Sequence, residues 1–265
     1  MSEYSFTFRG ETLEDHGYMI CEFDGNSSAN TVTTDSQRSF TSISMYSGKR
    51  KPILFYTYED ALVIKFSICK VEDANEQTIE PSEAAAIKRW LSSPTPQELR
   101  FSEEKYNGYH WVGVFNIEEV HYPGGCIGFD LTFTSLAPFA YKEKVEVSGT
   151  AIAGGSVTIN DTSDEEGYIY PDVSITLRSA GDLRITNSFD NRVTVINGCS
   201  NGETITLSNL LQISSSNHSH ILGNDFNYRF LRINNDYDNN VNKITFSLPC
   251  SYVISYKPIA KVVFA

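Results

Sequence analysis

Along this chain, apolar side chains alternate with polar ones far more often than they recur at helical spacing. From Tyr109 to Tyr141, Trp111, Phe115 and Ile117 fall on one side of an extended segment, and Val112, Val114 and Glu118 on the other. Pro123, Gly124 and Gly125 break that segment; Phe129, Leu131 and Phe133 then alternate with Asp130, Thr132 and Thr134. A period of two gives one buried and one wet face, so the stretch predicts a pair of strands, stopped by Pro138. Upstream, Tyr4, Phe6 and Phe8 predict a strand ended by Gly10, and Tyr18 to Phe23 a second. Ile53 to Tyr58 is a continuous apolar run, and Leu62, Ile64, Phe66 and Ile68 alternate. Between these lies a polar run, Gly25 to Arg38, without apolar periodicity; it predicts a long loop or arm.

One stretch follows a helical period. Pro81 fits a first helical turn, where its missing N–H is no loss, and Glu83 in that turn suits the helix dipole. Ala84, Ile87 and Leu91 share a face with Trp90 beside them, and Pro94 and Pro96 prevent continuation. Leu99, Phe101 and the strand pair complete a first domain.

Residues 142–156 offer Gly, Ala, Ser and charge with little to pack, which places a boundary there: an N-terminal domain over 1–145 and a C-terminal domain over 146–265. Beyond it short strands recur between turns: Val157–Ile159, Val173–Leu177, Leu183–Thr186, Val193–Ile196, Ile205–Leu207, Leu211–Ile213, Tyr228–Ile233, Ile244–Leu248 and Tyr252–Tyr256. Ala180-Gly181-Asp182, Asn197-Gly198, Asn201-Gly202 and Asn234 to Asn240 are turn signals. Such spacing predicts a β-sandwich. The fold class is mainly β: a barrel- or sandwich-like first domain with one helix, then a second sandwich.

Charge and cysteines narrow the function. A net charge of −12, with most of the acidic excess before Lys144, argues against nucleic acid, which needs a basic face. The five cysteines are odd in number, widely spaced and without a CxxC, so reduced thiols are expected rather than a disulfide framework or zinc site. The start, MSEYSFTF, has no basic-then-apolar signal pattern, and no run approaches the roughly 18 apolar residues of a membrane span. Folding in a cytoplasm, without membrane insertion, is the expectation.

Candidate chemistry is sparse. His218 and His220 would share one side of a strand as a metal pair, but with Ser and Asn neighbours and no third ligand a solvated turn is the better reading. The other histidines, His16, His110 and His121, bring no motif. Adjacent Glu118 and Glu119 point to opposite faces of a strand and make no glycosidase pair. Asp161, Asp164, Glu165 and Glu166, or Asp236 and Asp238, are calcium candidates that match no EF-hand loop and read as hydrated loop acids. Asn26, Asn160 and Asn217 each open a glycosylation triplet, without a secretion signal to support it. Trp90 is a possible sugar platform, but its place on the helix favours core packing. No GxSxG, HExxH or phosphate-binding glycine motif occurs. No catalytic, cofactor or metal residue is assigned, and no enzyme is expected.

The order of features carries a resemblance. FTFRGETLEDHGYMI near the start, ALVIKFSICK, the helix EPSEAAAIKRWL and the close GCIGFDLTFTSLAPFAY are similar to the first domain of siphophage and prophage distal tail proteins (Dit). GDLRITN, NGETITLS and SYVISYK resemble that family's galectin-like sandwich. The resemblance spans nearly the whole chain. It implies a virion structural protein, assembled in the bacterial host cytoplasm, whose N-terminal domains form a homo-hexameric ring. The C-terminal domains project outward. The ring, a baseplate hub, joins the tail tube to the tail-associated lysin, fibre or receptor-binding protein. A lectin-like virion module recognising cell-wall sugar is the alternative, and a wall hydrolase a third reading that no motif supports.

Overall fold

The structure, a computed structural model, describes residues 5–23, 38–43, 53–58, 61–71, 78–236 and 238–262. The arm expected over Gly25 to Arg38 and the basic cluster at Lys49, Arg50 and Lys51 lie outside the described residues, save the backbone of Arg38. The chain divides into two compact units, 1–140 with 262–265, and 141–261.

The first unit holds β1 (Phe6–Phe8), β2 (Glu11–Thr12), β3 (Tyr18–Cys21), β4 (Arg38–Ile43), β5 (Ile53–Tyr58), β6 (Val63–Lys70), α1 (Pro81–Leu91), β7 (Gln97–Phe101), β8 (Tyr109–Tyr122) and β9 (Gly125–Ser135). One sheet runs β2-β1-β7-β8-β9-β6-β3, while β4 and β5 pair with each other. The β8–β9 hairpin is the centre of this sheet. Its turn is only Pro123-Gly124, since Tyr122 registers with Gly125. Phe129, Leu131 and Phe133 are buried and their alternate neighbours are not, as the period of two predicts. Gly113 faces Ser135 where the strands approach closely: a Cβ there would lie 2.2 Å from the Thr134 carbonyl and 2.7 Å from the Phe133 ring.

Helix α1 starts at Pro81, with the Glu83 carboxylate accepting the Glu80 N–H at 3.1 Å, which satisfies one free donor of the first turn. Ala84, Ile87, Trp90 and Leu91 are its buried residues. Trp90, 6% exposed, stacks on Phe6 and donates its indole N–H to the Phe8 carbonyl at 3.0 Å. Phe6, Phe8, Phe66, Phe115 and Phe133 continue this aromatic core edge to face, the geometry ring quadrupoles favour.

The strand β10 (Ala140–Lys142) precedes those of the second unit: β11 (Val145–Ala151), β12 (Ser156–Asn160), β13 (Gly167–Ile169), β14 (Asp172–Leu177), β15 (Gly181–Asn187), β16 (Val193–Cys199), β17 (Thr204–Leu207), β18 (Ile213–Ser215), β19 (Ile233–Asn235), β20 (Val241–Phe246), β21 (Cys250–Tyr256) and β22 (Ile259–Ala260). One turn of helix, α2 (Leu222–Asp225), precedes β19. Two sheets, β11-β21-β14-β17-β18 and β12-β20-β15-β16, enclose a core in which Ile175, Leu183, Ile185, Ile196, Ile205, Ile244, Phe246 and Ile254 are fully buried. Sheets contributing inner faces to one core make a sandwich.

Three expectations fail here. The stretch 142–156 is not an unpacked connector: β11 pairs with β21 over its whole length, and Val145, Val147 and Ala151 pack on the core. The strand expected at Leu211–Ile213 begins only at Ile213; Leu210 and Leu211 form an exposed turn, with Leu211 at φ 60°. Tyr228–Ile233 is irregular up to Ile233. Side chains, not a partner strand, take its carbonyls: Arg192 Nε bonds the Phe230 oxygen at 2.9 Å and Asn187 Nδ2 the Arg232 oxygen at 2.8 Å. Buried Asn242 fixes the residue that follows this segment, accepting the Asn234 N–H at 2.8 Å and donating to its carbonyl at 2.8 Å.

Candidate functional site

Among the described residues, two groups of three side chains have metal-ligand chemistry within 4.8 Å: Cys199, Glu203 and His220, and Glu119, His121 and Cys126. The first is buried, and His220 is one of the two histidines the sequence pointed to. Strand β16 ends at Cys199, the tight turn Ser200 to Gly202 follows, and Glu203 closes it by accepting the Ser200 N–H at 2.7 Å. The Ser215 hydroxyl and His220 Nδ1 each reach Glu203 Oε1 at 2.5 Å. Burial pushes the Glu203 carboxyl up, but the bonds from Ser215, Ser200 and His220 outweigh it and leave its pKa below the usual carboxylate value.

The solvated-turn reading holds for His218 and Ser219, which are exposed, but not for His220. The His220 side chain is 3% exposed, held between Glu203 and the Asn197 carbonyl, which Nε2 meets at 2.9 Å. Both ring nitrogens are taken up by oxygen partners within the protein, which leaves neither turned toward open space. Cys199 directs its thiol to the Ile196 carbonyl at 3.4 Å, and burial pushes its pKa up to about 11. A buried thiol with a raised pKa is a poor nucleophile at neutral pH. The cluster is a clasp that ties the turn after β16 to β18 and to the loop before α2.

The second group sits at the end of β8. Glu119 is bound by Lys88 and, at 2.6 Å, by His121, and these two hold its carboxyl below the usual range. Cys126 is buried beneath them with its thiol pKa raised by burial. The Lys88 ammonium occupies the place a cation would take. Glu118 registers with Asp130 and Glu119 with Phe129, successive positions that point to opposite faces.

The acids of the second unit are not simply hydrated. Asp161 and Glu165 are 2% and 7% exposed. Asp161 accepts the Ser163 hydroxyl at 3.0 Å, and burial raises its pKa. Asp164 pairs with Lys142 at 2.6 Å and Glu165 with Lys261 at 2.7 Å. Asp161–Ser163 do meet Asn235 and Asp238–Asn240 around an open cleft of about 330 Å³. It offers two carboxylates, one with its charge disfavoured, and the ion pairs at Asp164 and Glu165 leave those acids to structural work. Sequence reasoning missed Glu203 because it lies 17 residues before His220 and joins it only through the fold.

The comparisons with known proteins bear on both halves. A model of a phage tail protein N-terminal domain matches residues 1–136, and a model of a phage tail C-terminal domain matches residues 139–256. The chain belongs to this phage tail protein family.

The resemblance read in the sequence is thereby borne out, and so is the mainly β fold class. The tail protein shares its fold with the Dit protein of phage SPP1, described as a paradigm of the hub adsorption apparatus in phages infecting Gram-positive bacteria. The match has a TM-score of 0.68 at 11% identity and covers 96% of this chain and 98% of that one. Chains of the phage p2 baseplate in its activated conformation also match, with TM-scores of 0.45 at 10% identity with calcium and 11% with strontium, covering 98% of this chain and 99% of theirs. No curated protein matches. The tail protein is a structural component of the virion.

Proposed function

We propose that this tail protein is a distal tail hub: a closed homo-hexameric ring that joins the tail tube to the receptor-binding or tail-associated apparatus. The observation that carries the reading is the pairing of a phage tail family match over each half with an SPP1 Dit-like fold over nearly the whole chain. The first unit supplies the ring contacts and the second, a galectin-like sandwich, projects from it; assembly takes place in the host cytoplasm. Rings suit a β-rich subunit because closure removes open sheet edges.

The role is not enzymatic. Buried thiols with raised pKa values and carboxylates committed to hydrogen bonds and ion pairs give no poised nucleophile or general base in either cluster. The sugar-binding alternative loses its platform on the helix, because Trp90 is buried; exposed rings remain at Tyr122, Tyr168 and Tyr228, with Arg232 lying 4.3 Å over the Tyr168 ring. Light scattering after size exclusion, with negative-stain imaging, tests the ring. A hexamer mass with a central opening is expected. A strict monomer, alone and with tube protein added, would sink the proposal.

A further inference from the structure

The second unit treats its sheet edges unequally. Strand β18 is only 3 residues long. The outer edge of β16 is strapped by Asn227, whose N–H bonds the Val195 carbonyl at 3.1 Å and whose amide bonds the Val195 N–H and the Val193 carbonyl. Strand β11 has neither protection. It is 7 residues long, runs in unbroken register with β21, and no other strand among the described residues pairs with its outer side. It carries no proline, lysine or bulge, devices that keep edges apart; its one charge, Glu146, pairs with Lys144 at 3.1 Å. Gly149, its weakest residue, is shielded by the Tyr252 side chain, whose hydroxyl oxygen lies 2.7 Å and whose ring lies 3.1 Å from where a Cβ would be.

The sequence of β11 is self-complementary. Laid antiparallel on itself about Ser148, it sets Val145 against Ala151, Glu146 against Thr150 and Val147 against Gly149. Half-buried Val145, Val147, Gly149 and Ala151 then share one face, and exposed Glu146, Ser148 and Thr150 the other. No like charges stand opposite each other, and the faces match without a register slip.

We propose that β11 is a docking edge for a second copy of this chain, pairing strand to strand about Ser148 and extending the five-stranded sheet across two molecules. The contact is separate from the ring proposed above. It requires only that two second units meet.

The test uses the full chain. Ser148→Cys and Thr150→Cys each add one thiol on the exposed face, where folding tolerates it. A short bismaleimide then reports proximity. In the proposed register residue 148 faces itself, whereas the two copies of residue 150 stand four positions apart, about 13 Å along the strands. Ser148→Cys should therefore give a covalent dimer at least ~10-fold faster than Thr150→Cys or the wild type, reflecting the high effective concentration of paired thiols. Peptide mapping should place the link at 148–148. Adding Val147→Pro or Thr150→Pro, which lie at alternate positions so that one of the two N–H groups faces outward, should abolish the link for the folded variant that has lost the outward N–H. Equal slow rates for both cysteine variants, or a dimer linked only through native cysteines, would overturn the proposal whether or not the chain forms rings.

Discussion

At the scale of single residues, the molecule depends most on side chains that combine a large apolar body with one satisfied polar atom. Trp90 stacks on Phe6, packs against His16 at 4.1 Å and uses its N–H on β1. Trp90→Ala should cost about 3–5 kcal/mol, the usual range for a buried aromatic truncated to a cavity, and denaturant melts will show it as a lower midpoint. Its burial was legible because the helix pattern put it beside Ala84, Ile87 and Leu91. Glu203 was not legible: nothing in its neighbourhood of sequence marks a buried carboxylate. Glu203→Gln should destabilise the second unit at neutral pH by about 1–3 kcal/mol, because Gln keeps the shape but cannot accept every bond. The direction of the pH dependence follows from its depressed pKa. The carboxylate's contribution is fully present above the ordinary glutamate pKa of 4.5, which the unfolded chain has, and is lost as pH falls through the lower folded value. The gap between wild type and Glu203→Gln, large at pH 7, should therefore close on acidification, and thermal melts across that range measure it.

At the scale of elements, strands with a strong side-chain period were readable, and strands held by their neighbours were not. Val63–Lys70 and Gly125–Ser135 bury alternate residues, so the sequence shows them directly. In β11 only Val145 and Val147 are large apolar residues; the strand exists because β21 offers a partner along its length and Tyr252 covers Gly149. The opposite error arose at Tyr228–Ile233, where Phe230, Leu231 and Ile233 are buried but the carbonyls of Phe230 and Arg232 go to the side chains of Arg192 and Asn187. An apolar run records burial, and which backbone groups pair is decided elsewhere in the chain. Two tests belong here. Amides of β11 that face β21 should exchange slowly with deuterium, while those of Ile152 and Ala153 exchange faster; uniform fast exchange from 145 to 153 would contradict the strand. Gly113→Ala should be poorly tolerated, since its Cβ meets the backbone oxygen of Thr134 and not a movable side-chain tip. A loss of about 1–3 kcal/mol or more is expected from such overpacking, read in the melting temperature.

At the scale of the whole molecule, the question is which stretches of chain hold together without the rest. The second unit encloses its own core between two sheets, and its boundary falls before β11. A fragment from Tyr141 to Lys261 keeps the β11–β21 ladder and the ion pairs of Lys142 with Asp164 and Lys261 with Glu165. It should fold alone, with a β-type circular dichroism spectrum and one cooperative urea transition. A fragment from Gly155 to Lys261 differs by β11 and the residues flanking it. It leaves β21 as an edge, uncovers the core beneath Val145, Val147 and Ala151, and strands Asp164 without Lys142. Apolar area re-exposed at about 25 cal/mol per Å² over three side chains amounts to a few kcal/mol. Domains of this size have about 5–15 kcal/mol in total, so the shorter fragment should unfold at clearly lower urea or lack a transition altogether. The comparison separates two kinds of failure. If both fragments melt together, β11 contributes nothing to the fold and its edge is no platform for pairing. If the longer fragment is itself unfolded, the second unit needs the first, and a sandwich that projects freely from a ring is the wrong picture.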